Sequence, residues 1–81
     1  VWYIYIVRCC DDTLYTGVTT CVERRVIEHN TKARGAKYTK SRRPVFLEYV
    51  KEAKDRSSAL KEEARIKKLS RKNKLLLIGE K

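Results

Sequence analysis

The chain opens on an almost unbroken apolar run, Trp2 to Arg8 (WYIYIVR), dense in aromatic and β-branched residues. So short a run reads as a strand covered on both faces, hence central in its sheet. Asp11-Asp12 follows as a turn, and Thr13–Val18 (TLYTGV) reads as a second strand, paired antiparallel through the short connection. Gly17 in that strand marks a bulge or a close approach by another group. Thr20-Cys21-Val22-Glu23 has the S/T-x-x-E form of a capping box and starts a helix that runs to about Asn30 or Thr31. Lys32 to Arg43 (KARGAKYTKSRR) is a basic loop without an acidic residue, and Pro44 introduces a third strand, Val45–Ala53. Ser57 or Ser58 caps a long helix through Leu69, and Ser70 caps a last one from Arg71 to Ile78, ended by Gly79. The order ββαβαα predicts an α+β fold: three strands, the first of them central, with helices packed on the sheet.

The length of 81 residues fits one domain, spanning residues 1–81, and leaves no room for a two-domain enzyme with its own dinucleotide fold. At this size the core is thin, with about 60% of the unfolded surface buried. Twenty Lys and Arg against ten Asp and Glu give a net charge of +10. Such an excess calls for an acidic partner, with nucleic acid the first reading. No run approaches the ~20 apolar residues of a membrane span, and Val1–Val7 lacks the basic start of a signal peptide. Cys9, Cys10 and Cys21 are odd in number and two are adjacent, a poor disulfide framework that predicts a reducing, cytoplasmic setting. Cys21 and His29 lack the CxxC pair that a zinc site needs, so the cysteines read as small hydrophobes.

Sorting the helices by face isolates the polar residues that do not belong. In the first helix Val22, Val26 and Ile27 form the inner arc, His29 falls on its rim, and Arg25 lies one turn earlier, with Arg24 and Glu28 pointing outward. In the second long helix Ala59, Leu60, Ala64 and Ile66 form the inner arc with Glu63 in its middle, while Glu62 at the edge reaches solvent. A carboxylate among apolar neighbours is costly unless it is paired, hydrogen-bonded or metal-bound. Two readings of Glu63 stand: a structural ion pair, for which Arg25 is a candidate partner, or a functional group. Tyr3 and Tyr5 share one face of the first strand, with Tyr15 across the hairpin, so their hydroxyls make a polar patch beside Gly17.

Tyr3-Ile4-Tyr5, then Tyr15-Thr16-Gly17 ten residues on, then Arg25, His29 and Glu63, resemble the GIY-YIG nuclease domain. The resemblance is strongest to its small bacterial members, long carried as an uncharacterised family. It extends through YTGVT, the ERR triplet, the GAKYTKSRRPV loop and the A-x-x-x-E-x-x-I-K run from Ala59 to Lys67. Tyr3 replaces the glycine of the first motif, and Val18 sits where repair-type members carry a lysine.

The resemblance implies a three-stranded antiparallel sheet with the first strand central. It also implies a metal-dependent endonuclease that cuts DNA by structure rather than sequence, with repair or recombination as its setting. By the same resemblance Glu63 holds the one divalent ion, Mg²⁺ or Mn²⁺. Arg25 binds phosphate, Tyr5 and Tyr15 are the paired motif tyrosines, and His29 matches a histidine found near the arginine. Either Tyr15 or His29 then serves as proton acceptor, the imidazole having the better-matched free pKa. DNA, branched or single-stranded, or else RNA, would be held by the loop carrying Lys32, Arg34, Lys37, Tyr38, Lys40, Arg42 and Arg43. The tail carrying Lys67 and Arg71 would add to it. Arg42 and Arg43 lie outside the motif positions and read as binding residues, not chemical ones. The competing class is a nucleic-acid-binding module that keeps the nuclease fold but does little cutting; only the enzyme needs the Glu63 carboxylate.

Overall fold

A computed structural model describes residues 1–31 and 37–79. The elements are β1 (Trp2–Arg8), β2 (Leu14–Thr19), α1 (Val22–Asn30), α2 (Lys37–Lys40), β3 (Phe46–Ala53), α3 (Arg56–Lys67) and α4 (Arg71–Leu77). The three strands form one antiparallel sheet in the order β2-β1-β3. β1 is therefore central, and Ile4, Tyr5, Ile6 and Val7 are all buried, as a run apolar on both faces requires. Pairing Tyr5 with Gly17 and Val7 with Tyr15 puts Tyr5, Tyr15 and Gly17 on one face of the sheet. Val22 and Val26 of α1 pack on that face, against Tyr5, Val7 and Tyr15. Ala59 and Ile66 of α3 pack on the other, against Ile4 and Ile6. The β1–β3 register shifts between Ile6 and Val7, leaving Glu48 as the extra residue of a bulge, where its carboxylate accepts from Arg8.

Several local expectations give way to the structure. α1 starts one residue later than the capping box requires: Cys21 is the N-cap with no side-chain cap bond, and the Thr19 hydroxyl accepts from the Cys21 N–H. Glu23 is then the second helical residue, too early for the reciprocal bond of a box. Asp55, not Ser57 or Ser58, caps α3, its carboxylate accepting from the Ser58 N–H at 2.8 Å, whereas Ser70 does cap α4. The basic loop holds a helical turn of its own, α2. Ile27 is 62% exposed and His29 wholly buried, because α1 turns Val22, Val26 and His29, spaced four and then three apart, toward the sheet. On α3 the buried pair is Ala59 and Ile66, two turns apart, while Leu60 and Ala64 face outward.

Candidate active site

Gly17 governs how the site closes. A methyl group there would lie 2.5 Å from the Tyr5 hydroxyl and 2.7 Å from Cζ, so only glycine lets the ring lie across β2. The Tyr5 hydroxyl reaches His29 Nε2 at 2.7 Å, and His29 Nδ1 lies 2.9 Å from the buried Thr39 hydroxyl on α2. Both imidazole nitrogens are thus engaged, and a wholly buried histidine is tolerated in a small core. Arg25 donates to Glu28 at 3.0 Å, and its charge acts on the Tyr5 phenol. A phenol that donates to Nε2 leaves the Nδ1–H of a neutral imidazole to donate to the Thr39 hydroxyl.

The electrostatics follow from this burial. Tyr5 is pushed up to about 12, chiefly by desolvation; Arg25 opposes the shift, while Tyr15 and Glu63 add to it. His29 falls to about 4, again chiefly by desolvation, with the Arg25 charge reinforcing the shift and Glu28 offsetting it in part. At neutral pH Tyr5 is a phenol and His29 a neutral imidazole. Tyr15 differs from both. Its ring meets His29 edge-on at 5.3 Å and stacks on Tyr38 at 5.7 Å, yet its half-buried hydroxyl has no hydrogen-bond partner among the described residues. It is the phenol of the cluster open to a ligand.

Glu62 and Glu63 flank the Ala59–Ile66 seam of α3 on its two sides. Contrary to the edge position expected of it, Glu62 has a side chain only 15% exposed. It accepts from Lys51 at 2.8 Å and from Arg65 at 2.6 and 2.9 Å. These bonds, the Arg65 one foremost, lower its pKa to about 2. Glu63 is the freer carboxylate: its side chain is 19% exposed, and its one ion pair among the described residues is Lys67 at 3.5 Å. Arg25, the partner the sequence suggested, instead pairs with Glu28 at 3.0 Å. Among the described residues no group of three or more His, Cys, Asp or Glu side chains converges on a point. A cation here would have Glu63 as its protein ligand and water as the rest of its shell, which suits magnesium.

The basic residues divide. Lys37 and Lys40 are exposed at the two ends of α2. Lys32 and Arg34 lie outside the described residues. Arg42, about one-third exposed, donates to Asp11 at 3.0 Å and to the Tyr38 carbonyl at 2.8 Å, with its guanidinium 4.1 Å from the Tyr38 ring centroid. Arg43 donates to the His29 carbonyl at 2.9 Å, and its Nη2 is buried with no hydrogen-bond partner among the described residues. Arg71 pairs with Asp12 at 3.0 Å. Spacing gave no sign of Thr39, Asp11, Glu28 or Asn30. Asn30 brackets the backbone of Val45, accepting from its N–H at 2.7 Å and donating to its carbonyl at 3.1 Å.

Paired tyrosines on adjacent strands, an arginine and a histidine on the next helix and a glutamate on the helix across the sheet define the GIY-YIG class. The chain belongs to that nuclease superfamily: the family model described as the GIY-YIG catalytic domain matches residues 1–75. Within it the chain is similar to UPF0213 proteins. It is 55% identical over 82 residues to one from Desulfotalea psychrophila, spanning 99% of this chain and 74% of that one. It is 51% identical to one from Staphylococcus haemolyticus, spanning 96% and 94%. The solution NMR structure of the UPF0213 protein BH0048 from Bacillus halodurans aligns with a TM-score of 0.61 at 39% identity, over 95% of this chain and 81% of that one. No described helix is long and apolar enough to cross a membrane.

Proposed function

We propose that the protein is a metal-dependent endonuclease that hydrolyses DNA phosphodiester bonds without reading base sequence. One observation carries the reading: Tyr5 lies across Gly17 and meets His29, whose ring also meets Tyr15, with Arg25 one turn before His29 on α1. Glu63 would hold the divalent ion; among the described residues its carboxylate is engaged by nothing closer than the Lys67 ammonium at 3.5 Å. When bound, such an ion neutralises charge on the scissile phosphate and the leaving 3′ oxygen. Arg25 would offer its planar guanidinium to a non-bridging oxygen. Tyr15, whose hydroxyl has no hydrogen-bond partner among the described residues, orients the attacking water. Tyr5, near pKa 12, keeps its proton on Oη and fixes the pocket wall. His29, neutral and fully buried, holds Tyr5 rather than taking a proton from water.

Lys37 and Lys40, with Lys32, Arg34 and Lys67, supply phosphate contacts that fix position without sequence preference. The test is incubation of pure protein with supercoiled, linear and branched DNA, with and without Mg²⁺ or Mn²⁺. Metal-dependent nicking, abolished by chelation and slowed in Tyr15→Phe, supports the reading. Binding without cleavage under every metal would make the protein a binding module instead.

A further inference from the structure

The geometry points to Tyr38 as a positioning residue that clamps the Tyr15 ring, itself set by Arg42 and Asp11; the inference rests on Tyr15 belonging to the site. The two rings stack with centroids 5.7 Å apart and planes 25° from parallel, an offset arrangement that opposes rotation of Tyr15 about its side-chain bonds. Tyr38 is in turn covered by the Arg42 guanidinium, 4.1 Å from its centroid.

Arg42 has little freedom. It donates from Nη1 to the Tyr38 carbonyl at 2.8 Å and from Nε to Asp11 at 3.0 Å, and its own carbonyl accepts from the Cys10 N–H at 3.0 Å. Asp11 is pinned by the Thr13 hydroxyl at 2.6 Å and the Thr13 N–H at 3.2 Å. The line Asp11–Arg42–Tyr38–Tyr15 thus runs from the β1–β2 turn back to β2 by way of α2. The neighbouring Thr39 holds His29, so successive residues of one helical turn set both aromatic walls of the site. The acidic turn and the basic loop, which the sequence offers as a hairpin end and a DNA-binding strap, become one device that fixes Tyr15.

A misplaced catalytic group costs rate rather than affinity, and displacement of about 1 Å can cost about 100-fold. The test compares Tyr38→Ala, Tyr38→Phe and Arg42→Gln. Single-turnover plasmid nicking in Mg²⁺ is measured beside duplex affinity in EDTA and the NMR shifts of the Tyr15 ring protons. Tyr38→Ala is expected to slow cleavage by about 10- to 100-fold with unchanged duplex affinity. Tyr38→Phe, which keeps the stack, restores the rate, and Arg42→Gln falls between. The Tyr15 ring resonances move in Tyr38→Ala, where the stacked ring is lost, and hold in Tyr38→Phe. Tyr38→Ala that loses duplex affinity while cutting bound DNA at the wild-type rate would overturn the proposal and make Tyr38 a DNA contact. Tyr15 shifts unmoved in Tyr38→Ala would overturn it as well. If the wild type cuts nothing, the nuclease reading fails by itself, and the ring shifts alone decide the clamp.

Discussion

Replacing Gly17 by alanine probes the packing around Tyr5 and gives an effect whose sign is diagnostic. In an ordinary strand interior the change from glycine stabilises by roughly 0.5–1 kcal/mol, because glycine loses more chain entropy on folding. Here the new methyl would sit 2.5 Å from Tyr5 Oη and 2.7 Å from Cζ. A side-chain end that could swing away would absorb this cheaply. Tyr5 cannot: it is 1% exposed and its hydroxyl is held by His29 at 2.7 Å. Overpacking costs about 1–3 kcal/mol, and a displaced Tyr5 leaves the buried Nε2 unpaired at about 1–3 kcal/mol more. Against the backbone gain the net loss is about 3 kcal/mol, which lowers Tm by about 12–24 °C in a domain this small. Thermal unfolding by circular dichroism measures it. Tyr5→Phe, Gly17→Ala and the double variant form a cycle with a coupling of about 1 kcal/mol or more, because without its hydroxyl the ring is no longer pinned. A Gly17→Ala protein as stable as wild type, or more so, would refute the argument that Tyr5 is locked.

Buried His29 makes stability pH-dependent. Its pKa of about 4 lies below the unfolded value of 6.5, so its contribution is complete above pH 6.5 and is lost as pH falls toward 4. At about 1.4 kcal/mol per pKa unit this amounts to roughly 3 kcal/mol, and it disappears in His29→Gln, as urea titrations across that window will show. Glu62 acts lower: its pKa of about 2 against 4.5 unfolded means stability present above pH 4.5 and lost below it. Screening at its half-exposed partners reduces that share to about 1 kcal/mol, which Glu62→Gln removes from the acid limb of the same titration. Asn30→Ala strips two hydrogen bonds from the buried backbone of Val45. It is expected to cost about 2–4 kcal/mol by chemical denaturation.

What the sequence made legible was whatever local pattern determines. The unbroken run Trp2–Arg8 announced a central strand, and Gly17 announced a close approach, which proved to be the Tyr5 ring. The tyrosine pair, Arg25 and Glu63 stand out by their resemblance to the GIY-YIG motifs, and the family itself is the one the chain belongs to. The rest depends on partners distant in the chain. A helical wheel ranks Glu62 as an edge residue, since it knows nothing of Lys51 on a neighbouring strand. It puts His29 on a rim, since the two groups that satisfy its nitrogens lie 24 residues before it and 10 after. Charge counting reads Arg42 and Arg43 as a binding strap and does not show that one also bonds Asp11 and the other the His29 carbonyl. Glu62→Gln, which the wheel would offer as a silent control for Glu63, is a stability variant.

The central claim is that Glu63 is the carboxylate on which cleavage depends, and one comparison tests it most directly. Wild type and Glu63→Gln are assayed side by side for nicking of supercoiled DNA in Mg²⁺, for duplex affinity in EDTA and for Tm. The account predicts that Glu63→Gln cuts at least about 100-fold more slowly, the scale on which loss of transition-state charge stabilisation acts. Folding stays intact, and affinity is equal or slightly tighter once a carboxylate no longer repels phosphate. A folded Glu63→Gln protein that binds DNA and nicks it at the wild-type rate would contradict the account.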